Sequence, residues 1–246
     1  MVGREPDRDI DPVFLAAGDT GLVVQYGDTV DAAVNRQVRG LAASVAGLGL
    51  PGVVDLVPTL RSLLVHYDPL VVSHADLVRA IAPLALRRHT TGLSGRRWRI
   101  PVCYEGDCAP DLPLVAELVG LDTAEVVRRH AATEFEVFMM GFLPGFPYLG
   151  MLPEEFDLPR RPNPRIRVPP GSISVAARQT TVYTLASPGG WHLIGRTPVR
   201  FYDPDREHPI LVRTGDLVRF EPVPMARYRE LNARPECHEV RPEDSR

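Results

Sequence analysis

The chain has 246 residues, 44% hydrophobic and 24% charged, the balance of a globular protein with one large or two modest domains. A net charge of −3 excludes general attraction to nucleic acid, and all 28 basic residues are arginine, so neither a GxxxxGK[ST] phosphate loop nor a lysine Schiff base is available. The 25 prolines and 20 glycines point to many turns and short strands rather than long helices.

No apolar run approaches the ~18 residues of a membrane-spanning helix, and the acidic start MVGREPDRD lacks the basic and apolar parts of a signal peptide. A cytoplasmic protein with no membrane association is expected. Residues 21–26 read as a strand, after which Val30, Val34, Val38, Leu41 and Val45 recur at helical spacing until Gly47 and Gly49. Strand-like runs follow at 53–57 and 62–67, and Ser73 with Asp76 opens a helix carrying Leu77, Ile81 and Leu84, with Pro83 near its end. With a further strand at 97–103 the order is βαββαβ, a ferredoxin-like unit assigned to residues 1–92 with its last strand just beyond.

The remainder changes character. Asp111 opens a short helix that stops at Gly120, and Asp122 with Glu125 caps another running to His130. Short apolar runs then appear at 135–140, 172–177, 181–186, 191–194, 199–202, 210–213 and 217–221, separated by Gly, Pro and Asp. This pattern predicts a β-barrel or sandwich over 93–224, followed by an exposed tail at 225–246, and the whole chain reads as α+β. Cys103, Cys108 and Cys237 are odd in number and lack CxxC spacing, and no HExxH occurs, so neither a disulfide framework nor a bound metal is expected.

Three stretches hold candidate site residues. GFLPGFPYLGMLPEEFDLP at 141–159 holds large apolar side chains on a backbone shaped by Gly and Pro, the composition of a binding surface. Its Phe142, Phe146 and Tyr148 are read as cleft wall, partner contact or buried core. In SPGGWHLIGRTP at 187–198 a turn feeds Trp191 and His192 onto a short strand that ends at Arg196, whose planar fork suits a carboxylate or phosphate. In RIRVPPGSISVAARQTTVYT at 165–184, Arg165 and Arg167 share a face, and Gln179 and Tyr183 offer an amide and a phenol for a small polar ligand. Each has a structural alternative as core, solvated face or local ion pair. There is no GxSxG, and the acidic pairs Glu134/Glu136 and Glu154/Glu155 have no spacing that demands acid–base work.

GFLPGFPYLGMLP, RVPPGSISVA and SPGGWHLIGRTPVRFYDP, with GDTGLVVQYGD at 18–28, PTLRSLLVHYDP at 58–69 and GDLVRFEPV at 215–223, closely resemble the family of 5-oxoprolinase B subunits. That family is also described as allophanate hydrolase subunit 1 or the Kip kinase-inhibitor family. The resemblance implies an amino-terminal α/β domain and a carboxy-terminal cyclophilin-like barrel. It also implies an enzyme component active only in complex, joined by a C subunit with a homologous barrel and by an A subunit. Such an assembly hydrolyses 5-oxo-L-proline to L-glutamate with ATP, which is used through the complex. Other branches belong to biotin-dependent urea carboxylase or inhibit a sensor histidine kinase.

On this reading Gln179 meets the amide edge, Arg196 or Arg165 grips the carboxylate, His192 transfers a proton, Tyr148 and Tyr183 contact substrate, and Phe142 and Phe146 face the partner. Ala177 and Thr181 stand where the family commonly carries glycine, and Thr184 where it carries proline. A narrowed pocket follows if those glycines make room for ligand, and nothing functional follows if they serve the backbone.

Overall fold

The computed structural model describes residues 11–89, 95–234 and 242, and the chain divides into two units, Met1–Leu93 and Ser94–Arg246. In the first, β1 (Pro12–Ala16), β2 (Gly21–Tyr26), β3 (Val53–Pro58) and β4 (Ser62–Tyr67) form an antiparallel sheet ordered β1-β2-β4-β3. Alternation puts Leu22, Val24, Leu63 and Val65 on one face, where they pack with Val38 and Leu41 of α1 (Ala32–Leu48) and Leu77 and Ile81 of α2 (His74–Ala85). Asp31 caps α1 by accepting from the Ala33 and Val34 amides, and Gly49 ends it in the left-handed region. Ser73 caps α2, which continues through Pro83 to Ala85.

The strand at 97–103 expected to complete this sheet lies in the second unit. Its place beside β2 is taken by β1, which the periodicity missed because Val13 and Leu15 are both exposed. A two-residue period identifies a strand but says nothing of which sheet it joins.

The second unit contains β5 (Arg97–Val102), α3 (Leu112–Val119), α4 (Thr123–Ala132), β6 (Phe135–Met140), β7 (Pro147–Gly150), β8 (Arg165–Val168), β9 (Ser172–Ala176), β10 (Gln179–Val182), β11 (Ser187–Gly189), β12 (His192–Arg196), β13 (Leu217–Pro222) and α5 (Met225–Asn232). Seven of these strands form one sheet ordered β12-β9-β10-β7-β6-β13-β5. Its ends meet: the Cys103 amide donates to the Arg196 carbonyl at 2.8 Å and the Arg196 amide to the Cys103 carbonyl at 2.9 Å, so the sheet is a nearly closed barrel. Ile100, Val137, Leu149, Ile173, Val175 and Phe220 fill it, each contributing about 1.5–3 kcal/mol of apolar burial. β8 and β11 pair separately as a two-stranded sheet.

The runs at 199–202 and 210–213 do not become strands. They meet through a single bridge, Tyr202 to Ile210, because Pro204 and Pro209 interrupt the ladder between them. The expected exposed tail begins with α5, whose Leu231 is buried; Cys237 lies outside the described residues. Among the described residues no helix is long and apolar enough to cross a membrane, and no group of three or more His, Cys, Asp or Glu gathers as a metal would require.

Candidate functional site

Strands of the barrel present two chemically different faces. Along β10, Val182 joins the interior core, whereas Tyr183, just past the strand, joins a separate cluster with Phe146, Val168 and Leu193. Gln179 and Thr181 share the parity of Tyr183 and belong to this outer face. Thr181 pairs with Tyr148 on one side and Ser174 on the other, and Ser174 in turn pairs with Leu193. Tyr148, Thr181, Ser174 and Leu193 therefore form a row across β7, β10, β9 and β12.

Aromatic rings build a wall over this row. Phe146 meets Tyr183 edge-on at 5.2 Å and Tyr148 at 5.2 Å, and Tyr148 meets Trp191 edge-on at 6.0 Å. Phe142 stands at the rim, 63% exposed and with φ of 69°, against buried Phe146. An exposed aromatic side chain held in a left-handed conformation is a costly arrangement that suits a contact surface. Gly189 lets Tyr183 approach, since a Cβ there would lie 2.1 Å from the phenolic oxygen. Burial raises the pKa of both tyrosines, with Arg160 opposing the shift at each and Arg165 also at Tyr183, so both remain neutral donors at physiological pH.

Arginines come from the loop between β7 and β8 and from the first residue of β8. The Arg160 guanidinium lies 5.8 Å from the Trp191 ring centroid. Arg161 and Arg165 both bind Asp111, through Nη1 at 3.0 Å and Nη2 at 2.7 Å to the same Oδ1. The other oxygen, Oδ2, accepts from the Leu193 amide at 2.7 Å. Burial acts to raise the pKa of Asp111, but the bonds from Arg165 and Leu193 outweigh it and hold the carboxyl below its usual range. Asp111 does precede α3 as expected, yet its side chain makes no cap bond there.

Buried polar atoms without a protein partner in this unit include Ser174 Oγ, Gln179 Nε2, Ser187 Oγ, His192 Nδ1, Arg161 Nε and Arg165 Nη1, and, at the seam where β9 meets β12, Ser172 Oγ and Arg196 Nε. Buried polar groups are ordinarily satisfied, so these atoms are open to bonding by water or by a small ligand. His192 Nε2 lies 3.0 Å from the Pro159 carbonyl. A carbonyl only accepts, so Nε2 carries the hydrogen and Nδ1 is the basic nitrogen of the neutral ring.

The expected site residues thus divide. Phe146, Tyr148 and Tyr183 come together, Gln179 shares their face, Arg165 lies near Tyr183, and His192 bonds the loop that carries the arginines. Arg196 is elsewhere, at the closing seam of the barrel beside Tyr228 and Cys108. Asp111, Arg160 and Arg161 were missed by sequence reading: Asp111 resembles any helix cap, and the run PRRPNPR at 159–165 resembles any basic loop.

The two glycine departures from the family pattern have different causes. Ala177 and Arg178 both have positive φ, 47° and 60°, in the tight turn joining β9 to β10, so a glycine at 177 serves the backbone. Thr181 lies within β10, and its hydroxyl donates to the Pro147 carbonyl at 2.6 Å, filling space beside Tyr148 and fastening β10 to β7.

Residues 12–212 match the family model described as "Carboxyltransferase domain, subdomain C and D". The chain is 38% identical to the 5-oxoprolinase B subunit of Escherichia coli O157:H7 over 205 residues, 83% of this chain and 93% of that one. To the 5-oxoprolinase B subunit of Bacillus subtilis it is 35% identical over 217 residues, 82% of this chain and 89% of the other. Among solved structures, TTHA0988 superposes with a TM-score of 0.71 at 39% identity, covering 82% of this chain, which spans only 40% of that one. The Kluyveromyces lactis urea amidolyase superposes with a TM-score of 0.80 over 97% of this chain and 16% of its own, at 19% identity, a likeness of fold. The sequence motifs and these comparisons point to the same family.

Proposed function

Because this chain belongs to the family of the carboxyltransferase domain, subdomains C and D, we propose that it is the B subunit of an ATP-dependent 5-oxoprolinase, opening 5-oxo-L-proline to L-glutamate together with A and C subunits. The observation that carries this reading is the likeness to two chains named as 5-oxoprolinase B subunits over about nine tenths of their length. The outer face of the barrel supports it, since a flat lactam needs apolar walls and a few convergent polar groups.

A lactam is a poor electrophile because its nitrogen lone pair is delocalised into the carbonyl. Phosphoryl transfer from ATP to the amide oxygen would remove that resistance, and the nucleotide is assigned to the assembly rather than to this chain. On this chain, Tyr148 and Trp191 flank the ring, Tyr183 donates a hydrogen bond, and Gln179 presents its free amide N–H to the lactam edge. His192 Nδ1 accepts a proton from the attacking water, and the Pro159 carbonyl stabilises the imidazolium that results. That proton passes to the lactam nitrogen as the C–N bond breaks, leaving an acyl phosphate that a second water hydrolyses to L-glutamate and phosphate. Arg165 receives the substrate carboxylate, whereas Arg196 is kept at the barrel seam by its neighbours. Phe142 is left for the C subunit, its exposed ring being the part of the wall not committed to the cluster.

The test is ADP release, with and without 5-oxo-L-proline, from this protein mixed with its A and C partners, omitting each in turn. Substrate stimulation only in the complete mixture is expected. No stimulation with folded partners would sink the oxoprolinase reading.

A further inference from the structure

Three arginines stand within six residues at the entry to β8, and they are not equivalent. Arg161 and Arg165 are tied to Asp111, a carboxylate only 4% exposed. Arg160 is exposed, and among the described residues it makes neither an ion pair nor a hydrogen bond. Its guanidinium lies 5.8 Å from the centroid of Trp191, whose ring is edge-on to Tyr148 at 6.0 Å. A cation resting on an aromatic ring at the surface is held weakly, and all five of its N–H groups stay available. Tyr148 is half-buried, and its hydroxyl makes no hydrogen bond among the described residues. Arg160 acts on the hydroxyls of both Tyr148 and Tyr183 against the effect of burial, which puts its charge close to both oxygens. An accessible guanidinium and an accessible phenol therefore meet over the aromatic wall, apart from the Asp111 clamp.

We propose that Arg160 is a catalytic residue that receives the phosphoryl group arriving on the lactam oxygen, with the Tyr148 hydroxyl as its companion donor. The phosphoryl step rests on the oxoprolinase reading; the choice of Arg160 rests on its exposure, its lack of a carboxylate partner and its place beside Trp191 and Tyr148. In that step the lactam oxygen bonds to the terminal phosphorus of ATP while the bond from that phosphorus to the bridging oxygen breaks. ADP leaves with the electron pair of the broken bond, the nitrogen lone pair closes a C=N bond, and the nitrogen takes up the positive charge. The planar fork of arginine spans two of the phosphoryl oxygens, a match that a single point charge lacks. The charge it meets arrives only with the transfer, so its loss should reach kcat rather than KM.

The experiment compares wild type, Arg160→Gln and Arg160→Lys in the assembled A, B and C complex, with gel filtration to check assembly. For ADP release driven by 5-oxo-L-proline, Arg160→Gln should lower kcat ~100-fold or more and leave KM within about 3-fold. Arg160→Lys should recover part of the loss, because it keeps the charge without the fork. Calorimetric titration of the same complexes with phosphonoacetamide, an amide bearing a phosphonate, gives a readout independent of turnover. Arg160→Gln should weaken that probe at least ~10-fold while binding of 5-oxo-L-proline stays within about 3-fold.

An unchanged kcat in Arg160→Gln, or a rise in KM alone, overturns the phosphoryl role and leaves the oxoprolinase reading standing. Dissociation of the complex by both variants overturns it in favour of a contact with a partner subunit. If the wild-type complex does not turn over 5-oxo-L-proline, the oxoprolinase reading fails and the titration decides alone. Phosphonoacetamide binding that needs Arg160 then keeps the receptor, and binding that is absent or indifferent to Arg160 removes it.

Discussion

Two buried histidines of the second unit make opposite use of burial. His130, inside the barrel, is satisfied at both nitrogens: Tyr104 donates to Nδ1 at 2.8 Å, and Nε2 donates to the Thr180 hydroxyl at 3.0 Å, which passes its own hydrogen to the Ser174 carbonyl at 3.1 Å. The ring also stacks on Phe220 at 5.0 Å. His192 has one nitrogen bonded to Pro159 and the other with no partner. Thr180 and Thr181, adjacent on one strand, repeat the contrast: one completes the interior chain, and the other faces the aromatic wall. Burial alone therefore does not distinguish the two histidines; completeness of pairing does.

The largest expected effect comes from the satisfied side. His130→Ala should destabilise the protein by about 3 kcal/mol in urea unfolding, because it opens a cavity and strands the hydroxyls of Tyr104 and Thr180. His192→Ala should behave inversely, costing about 1 kcal/mol of stability but about 100-fold in turnover of the assembled enzyme without dissociating it. If the two variants lost stability equally and turnover not at all, the distinction would collapse.

Protonation sharpens the same contrast. Burial pushes the His130 pKa down to about 3, below the ordinary 6.5. Between those values the unfolded chain binds a proton that the folded chain refuses, so stability falls as pH drops from about 6.5 toward 3, by up to ~1.4 kcal/mol per pH unit from this residue. His130→Gln cannot titrate and should lose that part of the slope in denaturation curves taken across the range.

Restoring the two family glycines should have opposite signs. Thr181→Gly removes the hydroxyl bond to Pro147 and loosens a central strand, a loss of about 1–2 kcal/mol by chemical denaturation. Ala177→Gly relieves a left-handed residue in the β9–β10 turn and should gain about 0.5–1 kcal/mol, the smallest effect of the set. A gain at 181 or a loss at 177 would reverse the reading of which glycine serves space and which serves the backbone.

Legibility followed the range of the forces involved. The helices were readable because their caps and apolar stripes are local: Ser73 and Asp122 accept the amides expected of them. Asp111 was readable as a helix start and unreadable as a clamp, since its partners lie 50, 54 and 82 residues away. Strand membership failed in the same way at β5, whose residues alternate correctly but pair in parallel with β13.

The amino-acid sequence by itself determined the α+β character, the aromatic side chains of the candidate site, and the family, because composition, capping and long motifs are written along the chain. Tertiary structure alone decided that Arg165 is shared with Asp111, that Arg196 sits at the barrel seam, and that His192 keeps an unpaired nitrogen while His130 keeps none. Hydrogen-bond satisfaction is a property of neighbours in space, and a closed barrel chooses those neighbours from segments that the chain holds far apart.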